Sequence, residues 1–254
     1  MKPEELKKYR DQIDEIDDKL IKLLVERAGC VKRVGERKKL ADLPIFRPER
    51  EVAIIDRMCG KNKALSGDLA ENSIATIWLE IISGCRALER KLEISYLGPS
   101  GTYSELAART LFGHQVILHP FNSLEEVINA AEVGNTDVAL LPIENSTEGT
   151  VGRSLDLLLS TNLPISAELS IPIHHMLLRK IEDLNSIEKI VAHSQSLSQC
   201  QKWLDQNLPG IPRVSLESNG AAAKAASQNS SIVAIAGQLA AKTYSLKTVV
   251  NRIE

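Results

Sequence analysis

The N-terminal segment is the feature that most constrains the fold of this chain. No proline occurs between Pro3 and Pro44, and apolar residues recur at the three- and four-residue spacing of one helix face. They are Leu6, Tyr9, Ile13, Ile16, Leu20, Leu23, Leu24, Val31 and Val34. The pattern predicts one helix from about Glu4 to Leu40, roughly 55 Å long at 1.5 Å per residue. Because one copy of so long a helix cannot cover its own apolar stripe, we expect an intertwined dimer.

Two cations interrupt the apolar stripe of this helix. Steps of seven residues from Leu6 reach Ile13, Leu20 and then Arg27, at a position where a coiled-coil seam favours Leu or Ile. Lys38 lies about 20° away from Arg27 around the helix, so both project from nearly the same face. Two inward-facing cations require an anion, which is either a side chain or a bound ligand. The alternative is that Arg27 crosses the apolar surface and holds its charge in water.

The rest of the sequence predicts two more helices and then an α/β domain. The second helix should run from Pro48, which suits a first helical turn, to Gly60, and the third from about Gly67 to Lys91. From there apolar runs alternate with helical patterns, as in α/β proteins, so we predict domains at 1–92 and 93–254. The predicted strands are 94–97, 116–121, 138–141, 165–173, 190–192, 214–216 and 232–236. The predicted helices between them are 102–112, 124–133, 151–159, 197–207, 221–227 and 238–245.

Composition excludes several classes of protein. The 31 basic and 33 acidic residues give a net charge of -2, without the basic excess of a nucleic-acid-binding protein. No apolar run approaches the roughly 18 residues of a membrane span, and the charged N-terminus is not a signal peptide. The four cysteines are scattered without a CxxC pair, which is typical of reduced cysteines in a cytosolic protein. We therefore expect a cytoplasmic protein that binds neither nucleic acid nor membrane.

The chemistry available in the helical module is electrostatic. Arg27, Lys38, Arg50 and Glu51 offer fixed charge and hydrogen-bond donors, without a Ser-His pair or a metal-ligand cluster. Such a site binds a small polyanion and stabilises negative charge that develops on oxygen. Orientation and electrostatics suit a unimolecular rearrangement, so we expect neither cofactor nor metal.

Residues 4–91 resemble the all-helical chorismate mutases. The matching runs are 10–14, 24–27, 34–38 and 47–51. The resemblance implies a dimer that converts chorismate to prephenate by a Claisen rearrangement. By position, Arg27 and Arg10 of the partner subunit would hold the two carboxylates, and Lys38 would donate to the ether oxygen. Glu51 would hold the ring hydroxyl and Arg50 would support the site.

Two positions depart from the chorismate mutase pattern. Some members have an acidic residue where this chain has Arg47, so the role of Arg47 stays open. Many have a glutamine in the third helix that donates to the ether oxygen, where this chain has Glu89. A carboxyl group donates only when it is protonated, so in that role Glu89 would give higher activity at lower pH. The alternative is that Glu89 is a surface residue of the helix.

Residues 94–254 are similar to the prephenate dehydratases. The similarity rests on four motifs, at 98–104, 141–149, 192–200 and 217–222. It implies a two-lobed α/β fold like that of periplasmic binding proteins, with prephenate bound between the lobes and converted to phenylpyruvate by loss of water and carbon dioxide. The candidate ligand contacts are Glu144, Asn145, Ser146, Gln195 and Gln199. We expect His193 to be structural, and His174 and His175 to need no ligand.

One motif of the dehydratases is missing from this sequence. The family carries Thr-Arg-Phe in its last strand, and no such tripeptide occurs here. We therefore expect an incomplete dehydratase domain, or a fragment, without the C-terminal domain that commonly binds phenylalanine. The resemblances together imply a bifunctional chorismate mutase/prephenate dehydratase of phenylalanine biosynthesis.

Two alternatives to the bifunctional enzyme stay open. One has mutase activity only, with the second domain as a scaffold or a prephenate-binding module. The other is a non-catalytic dimeric sensor of a small molecule. Arg10, Arg27, Lys38 and Glu51 argue against the sensor, since a plain coiled coil has no need of them.

Overall fold

The computed structural model describes residues 3–41, 46–145 and 149–254. The chain forms two compact units, and each is described by itself. One comprises Met1–Leu92 with Gly113–Val116, and its described part contains the helices between Pro3 and Arg86. The other comprises Glu93–Phe112 and Ile117–Glu254 and contains the strands and the remaining helices. In the described ranges, no helix combines the length and apolar character that a membrane crossing requires.

The helical unit contains α1 (Pro3–Leu40), α2 (Pro48–Ala64) and α3 (Glu71–Arg86). The prediction for α1 is confirmed, and its acidic first turn and basic last turn suit the helix dipole. The predicted ends of the other two helices are wrong. Helix α2 continues through Gly60, because one glycine costs only about 1 kcal/mol in a helix. Helix α3 begins four residues later and ends five residues earlier than predicted, so Glu89 lies in the turn that follows it.

The apolar stripe of α1 is exposed in the single chain. Among residues 4–40, Gly35 is the one fully buried position. Tyr9, Leu23 and Val25 are each 60–65% exposed, and Ile13, Ile16 and Leu20 are more than half exposed. So much exposed apolar surface along one helix is typical of a surface that another molecule covers.

The α/β unit contains two main sheets. Its strands are β1 (Leu92–Leu97), β2 (Val116–Phe121), β3 (Val138–Leu140), β4 (Glu144–Asn145), β5 (Gly149–Thr150), β6 (Met176–Arg179), β7 (Lys189–His193), β8 (Arg213–Leu216), β9 (Ile232–Ala236) and β10 (Lys247–Val250). One sheet has the order β2-β1-β3, and the other has the order β10-β6-β9-β7-β8. Strand β7 runs parallel to β8 and β9, whereas β6 is antiparallel to β9 and β10. The two sheets confirm the predicted two-lobed α/β fold.

Helices separate most of these strands. They are α4 (Tyr103–Phe112), α5 (Leu124–Glu132), α6 (Gly152–Ser160), α7 (Ser194–Gln199), α8 (Gln201–Asn207), α9 (Asn219–Gln228) and α10 (Gln238–Thr243). Alanines let α9 approach its sheet closely, and Ala222, Ala223 and Ala226 are fully buried beside Val191 and Ala234. The single predicted helix over 197–207 is wrong, since Cys200 separates α7 from α8.

The predicted strand at 165–173 is also wrong. This segment has no strand in the structure and is largely exposed, with Ile165 76% and Leu169 40% exposed. Its apolar alternation has no neighbouring strand to pair with, and Pro164 and Pro172 lack the N–H group that a ladder uses. The strand forms instead at β6, where Leu177 and Leu178 are fully buried.

Candidate active sites

A cavity of about 110 Å³ lies within the helical unit. Its lining comes from all three helices and comprises Arg27, Val31, Arg47, Arg50, Glu51, Ile54, Ile82, Cys85, Arg86 and Glu89. The structure therefore brings together Arg27, Arg50, Glu51 and Glu89, four of the residues that the sequence predicted for the mutase site, and it adds Arg47. Helical spacing explains most of the α3 contribution, since Ile82, Cys85 and Arg86 lie on one face at the end of the helix, and Glu89 follows in the turn after it.

The cavity suits an anion with two negative charges. Four arginines and two glutamates line it, which gives a net charge of +2 when all are ionised. Arg27 Nη1 is buried and has no hydrogen-bond partner in the described part of the chain. A buried donor without an acceptor is unfavourable, so this guanidinium favours a bound acceptor such as a carboxylate.

Glu89 is buried beside the end of α1. Its side chain is 6% exposed, and its Oε2 lies 3.6 Å from Lys38 Nζ. A Cβ atom built on Gly35 would lie 2.5 Å from Glu89 Cγ, so the glycine makes room for this side chain. The alternative that Glu89 is a surface residue is therefore wrong. Lys38 is not among the described residues that line the cavity, and it contacts that lining through its ion pair with Glu89.

Sequence reasoning missed Arg86, the last residue of α3. Its Nη1 donates to both carboxylate oxygens of Glu51, at 2.6 and 2.7 Å. The guanidinium lies over the ring of Phe46, 5.6 Å from its centroid. A signal for Arg86 exists in the sequence, because this cation follows the apolar Ile82 by one helical turn. Arg27 likewise follows the apolar Leu23 by one turn of α1.

Arg10 does not reach this cavity within one chain. It is exposed on α1 and precedes Arg27 by seventeen residues, which is about 25 Å along the helix axis. An arginine side chain is far too short to cover that distance. A single chain therefore does not bring Arg10, the residue that the resemblance implies for the second substrate carboxylate, to its own cavity.

The motifs of the α/β unit lie where strands end. The motif at 98–101 follows β1, the segment 194–195 follows β7, and the segment 217–219 follows β8. Strands β7 and β8 are parallel neighbours, so their carboxyl ends meet at one edge, where α/β folds bind ligands. Asn219 joins the two segments there, because it accepts a hydrogen bond from the His193 N–H and donates one to Ser196 Oγ.

The predicted dehydratase contacts fall in two places. Gln195 and Gln199 lie one turn apart on α7, and Gln195 Nε2 is buried without a partner in the described residues. Gln199 Oε1 lies 2.7 Å from His175 Nε2. Glu144 and Asn145 form β4, where Glu144 is exposed. Ser146 lies outside the described residues.

A buried cluster around His175 was not predicted as a group. The Tyr103 hydroxyl donates to the His174 carbonyl oxygen at 2.8 Å and lies 3.3 Å from His175 Nδ1. Burial raises the pKa of Tyr103. His174 Nδ1 and the His175 N–H both contact the Glu254 carboxylate, at 2.9 and 2.7 Å. Burial raises the pKa of Glu254, but these hydrogen bonds outweigh it and the pKa is lowered overall.

Cys200 borders the same cluster. It is fully buried, and burial together with the charge of Glu254 raises the pKa of its thiol to about 12. All four cysteines are free. Cys200 therefore packs as a small apolar side chain and is not a nucleophile.

Comparison with known proteins assigns both units to families. Residues 9–90 match the family described as chorismate mutase type II, and residues 94–254 match prephenate dehydratase. A bifunctional chorismate mutase/prephenate dehydratase of Neisseria gonorrhoeae is 41% identical over 97% of this chain and 67% of its own length. One of Aquifex aeolicus is 36% identical over 99% of this chain and 70% of its own length.

A solved structure supports the fold of the α/β unit. The prephenate dehydratase of Arthrobacter aurescens, in complex with L-Phe, superposes with a TM-score of 0.59 at 29% identity. The match covers 64% of this chain and 55% of that protein, so the chain spans little more than half its length. With a mutase domain followed by a dehydratase domain, this chain belongs to the bifunctional chorismate mutase/prephenate dehydratase family.

Proposed function

We propose that the arginine-lined cavity is the site where this chain converts chorismate to prephenate. The observation that carries the proposal is Arg27, whose buried Nη1 has no acceptor in the described residues. A carboxylate of chorismate supplies that acceptor, and the net positive lining attracts a substrate with two carboxylates. Arg50 adds positive charge beside the carboxylate that Arg27 binds. Arg47 also lines the cavity and is a further hydrogen-bond donor for the substrate.

The rearrangement needs stabilisation of one oxygen. As the carbon–oxygen ether bond breaks and the new carbon–carbon bond forms within the same molecule, negative charge develops on the ether oxygen. Lys38 is the donor for that oxygen, and Glu89, whose Oε2 lies 3.6 Å from Lys38 Nζ, can donate to the same atom only in its protonated form. Glu51 accepts a hydrogen bond from the ring hydroxyl and thereby orients the ring.

A homodimer completes the site. The exposed apolar stripe of α1 requires a partner surface, and a second α1 supplies one. Two such helices packed along their lengths would bring Arg10 of the partner subunit to the cavity. It then holds the second carboxylate, which Arg10 of the same chain cannot reach from about 25 Å along the helix.

The α/β unit takes the product of the first reaction. Prephenate binds at the carboxyl edge of β7 and β8, where the buried Gln195 Nε2 needs an acceptor, with Gln199, Glu144, Asn145 and Ser146 as further contacts. Loss of hydroxide requires a donor close to the leaving oxygen.

The two reactions place the protein in phenylalanine biosynthesis. Its compartment, we propose, is the cytoplasm. Four free cysteines support this, because thiols stay reduced there.

One assay tests these proposals together. The purified chain is given chorismate, and prephenate and phenylpyruvate are followed by chromatography. Prephenate alone supports a mutase with a binding module, and both products support the bifunctional enzyme. If a folded dimer forms neither prephenate nor phenylpyruvate, the result contradicts the proposal and favours a sensor.

A further inference from the structure

Arg86 and Glu51 form the closest ion pair of the helical cavity. Arg86 ends α3 and Glu51 lies in the first turn of α2, so the pair joins two helices. The side chains are only 5% and 15% exposed. Because a buried carboxylate is strongly unfavourable without a partner, this contact supplies the partner that Glu51 needs inside the cavity.

The guanidinium of Arg86 is itself held in place. Phe46 contacts one of its faces, at 5.6 Å from the ring centroid. Its position at the carboxyl end of α3 places the cation where the helix dipole favours it. Arg86 therefore acts as a fixed support for Glu51 and is not a mobile surface side chain.

The contact leaves Glu51 able to bind a ligand. Each carboxylate oxygen has two lone pairs, and Arg86 Nη1 occupies one on each oxygen. An ionised carboxylate accepts hydrogen bonds and cannot donate them. A ligand hydroxyl that meets Glu51 must therefore act as the donor, in a direction that Arg86 sets.

We propose that Arg86 is a positioning residue of the mutase site, which fixes Glu51 as the acceptor for the ring hydroxyl of chorismate. This inference rests on the proposed function of the cavity. The proposal gives Arg86 and Arg27 different roles. Arg86 Nη1 donates to Glu51, whereas Arg27 Nη1 is available to donate to a carboxylate of the substrate.

A double-mutant cycle tests the proposal. The chain is compared with Arg86→Met, Glu51→Gln and the double variant, with kcat and KM for chorismate measured separately. Arg86→Met should lower kcat/KM by about 10- to 100-fold, mainly through KM, because Glu51 loses its orientation. The double variant should be no worse than Glu51→Gln alone, since the two residues act through one contact.

Two further variants separate positioning from stability. Arg86→Lys keeps the charge and should recover part of the loss in KM. Arg153→Met removes an exposed ion pair with Glu125 in the other unit and should leave mutase kinetics unchanged. A residue that only stabilises the fold would lower the melting temperature and the active fraction without changing KM.

The outcomes distinguish this proposal from the function on which it rests. No prephenate from the unmodified chain would remove the function and the role of Arg86 with it. An active chain in which Arg86→Met keeps kcat/KM within about twofold, or in which the two losses are additive, would contradict the role of Arg86 alone. If Arg86→Met does not fold, Arg86→Lys carries the test, and an unchanged KM for that variant would contradict the proposal.

Discussion

Glu89 Oε2 lies 3.6 Å from Lys38 Nζ, in an ion pair that joins the turn after α3 to the last turn of α1. This contact places a carboxyl group beside Lys38, the proposed donor for the ether oxygen. An ionised Glu89 pairs with Lys38, whereas a protonated Glu89 is also a hydrogen-bond donor.

We predict that Glu89→Gln flattens the pH–rate profile of the mutase. A carboxyl group donates only while it is protonated, so a reaction that uses Glu89 as a donor should slow as the pH rises. A glutamine amide donates at every pH. Stopped assays across the stable pH range would measure both profiles. If the two profiles have the same shape, Glu89 is not a donor in the reaction.

Gly35→Ala should disturb the same carboxyl group from the opposite side. The added Cβ would lie 2.5 Å from Glu89 Cγ, so the Glu89 side chain must shift, and we expect its contact with Lys38 to change. We expect mutase kcat to fall by about tenfold while the dimer persists. Gly60→Ala is the matched control, because Gly60 lies on a helix with nothing within 4 Å of the new Cβ. It should stabilise the protein by up to about 1 kcal/mol and leave kcat unchanged, and equal kinetics for both variants would exclude this packing argument.

Arg10 and Arg27 should complement each other between subunits. Each of the variants Arg10→Ala and Arg27→Ala should be inactive alone, since each site then lacks one carboxylate ligand. Co-expression forms mixed dimers in which one of two sites has both arginines. Random pairing should restore about a quarter of the activity, because half of the dimers are mixed. Activity no higher than that of the single variants would show that the two arginines do not share a site.

Cys200 should resist thiol reagents in the folded protein. The thiolate is the reactive form, and a thiol pKa of about 12 leaves almost none at pH 8. Mass spectrometry after labelling should find Cys200 unmodified in the native chain and modified in urea. Rapid native labelling would mean that the packing around Tyr103 and His175 opens readily.

The sequence predicted best those features that depend on local pattern. Helix α1 lacks proline and has a continuous apolar period, so its predicted start and end each lie within one residue of those observed. The strand predicted at 165–173 failed, because alternation describes one strand and says nothing about a partner for it. The break at Cys200 between α7 and α8 could not be predicted from a local signal, because residues 194–207 contain no proline or glycine.

The sequence predicted which charged residues lie at the candidate site, but it did not predict which of them form ion pairs with each other. The position of Arg27 and Lys38 indicated a nearby anion, either a side chain or a ligand. The structure has Glu89 as a side-chain anion for Lys38, and Arg27 Nη1 has no acceptor in the described residues. The pairing of Arg86 with Glu51 joins positions thirty-five residues apart, and no local period encodes such a contact.

Turnover of chorismate by Arg27→Ala is the most direct test of the arginine-lined cavity as the mutase site. The variant and the unmodified chain are compared for prephenate formation, with circular dichroism and sedimentation to confirm that fold and assembly match. We predict that prephenate formation is abolished while the dimer persists. Turnover close to that of the unmodified chain would contradict the assignment and leave Arg27 as a side chain that only carries its charge to water.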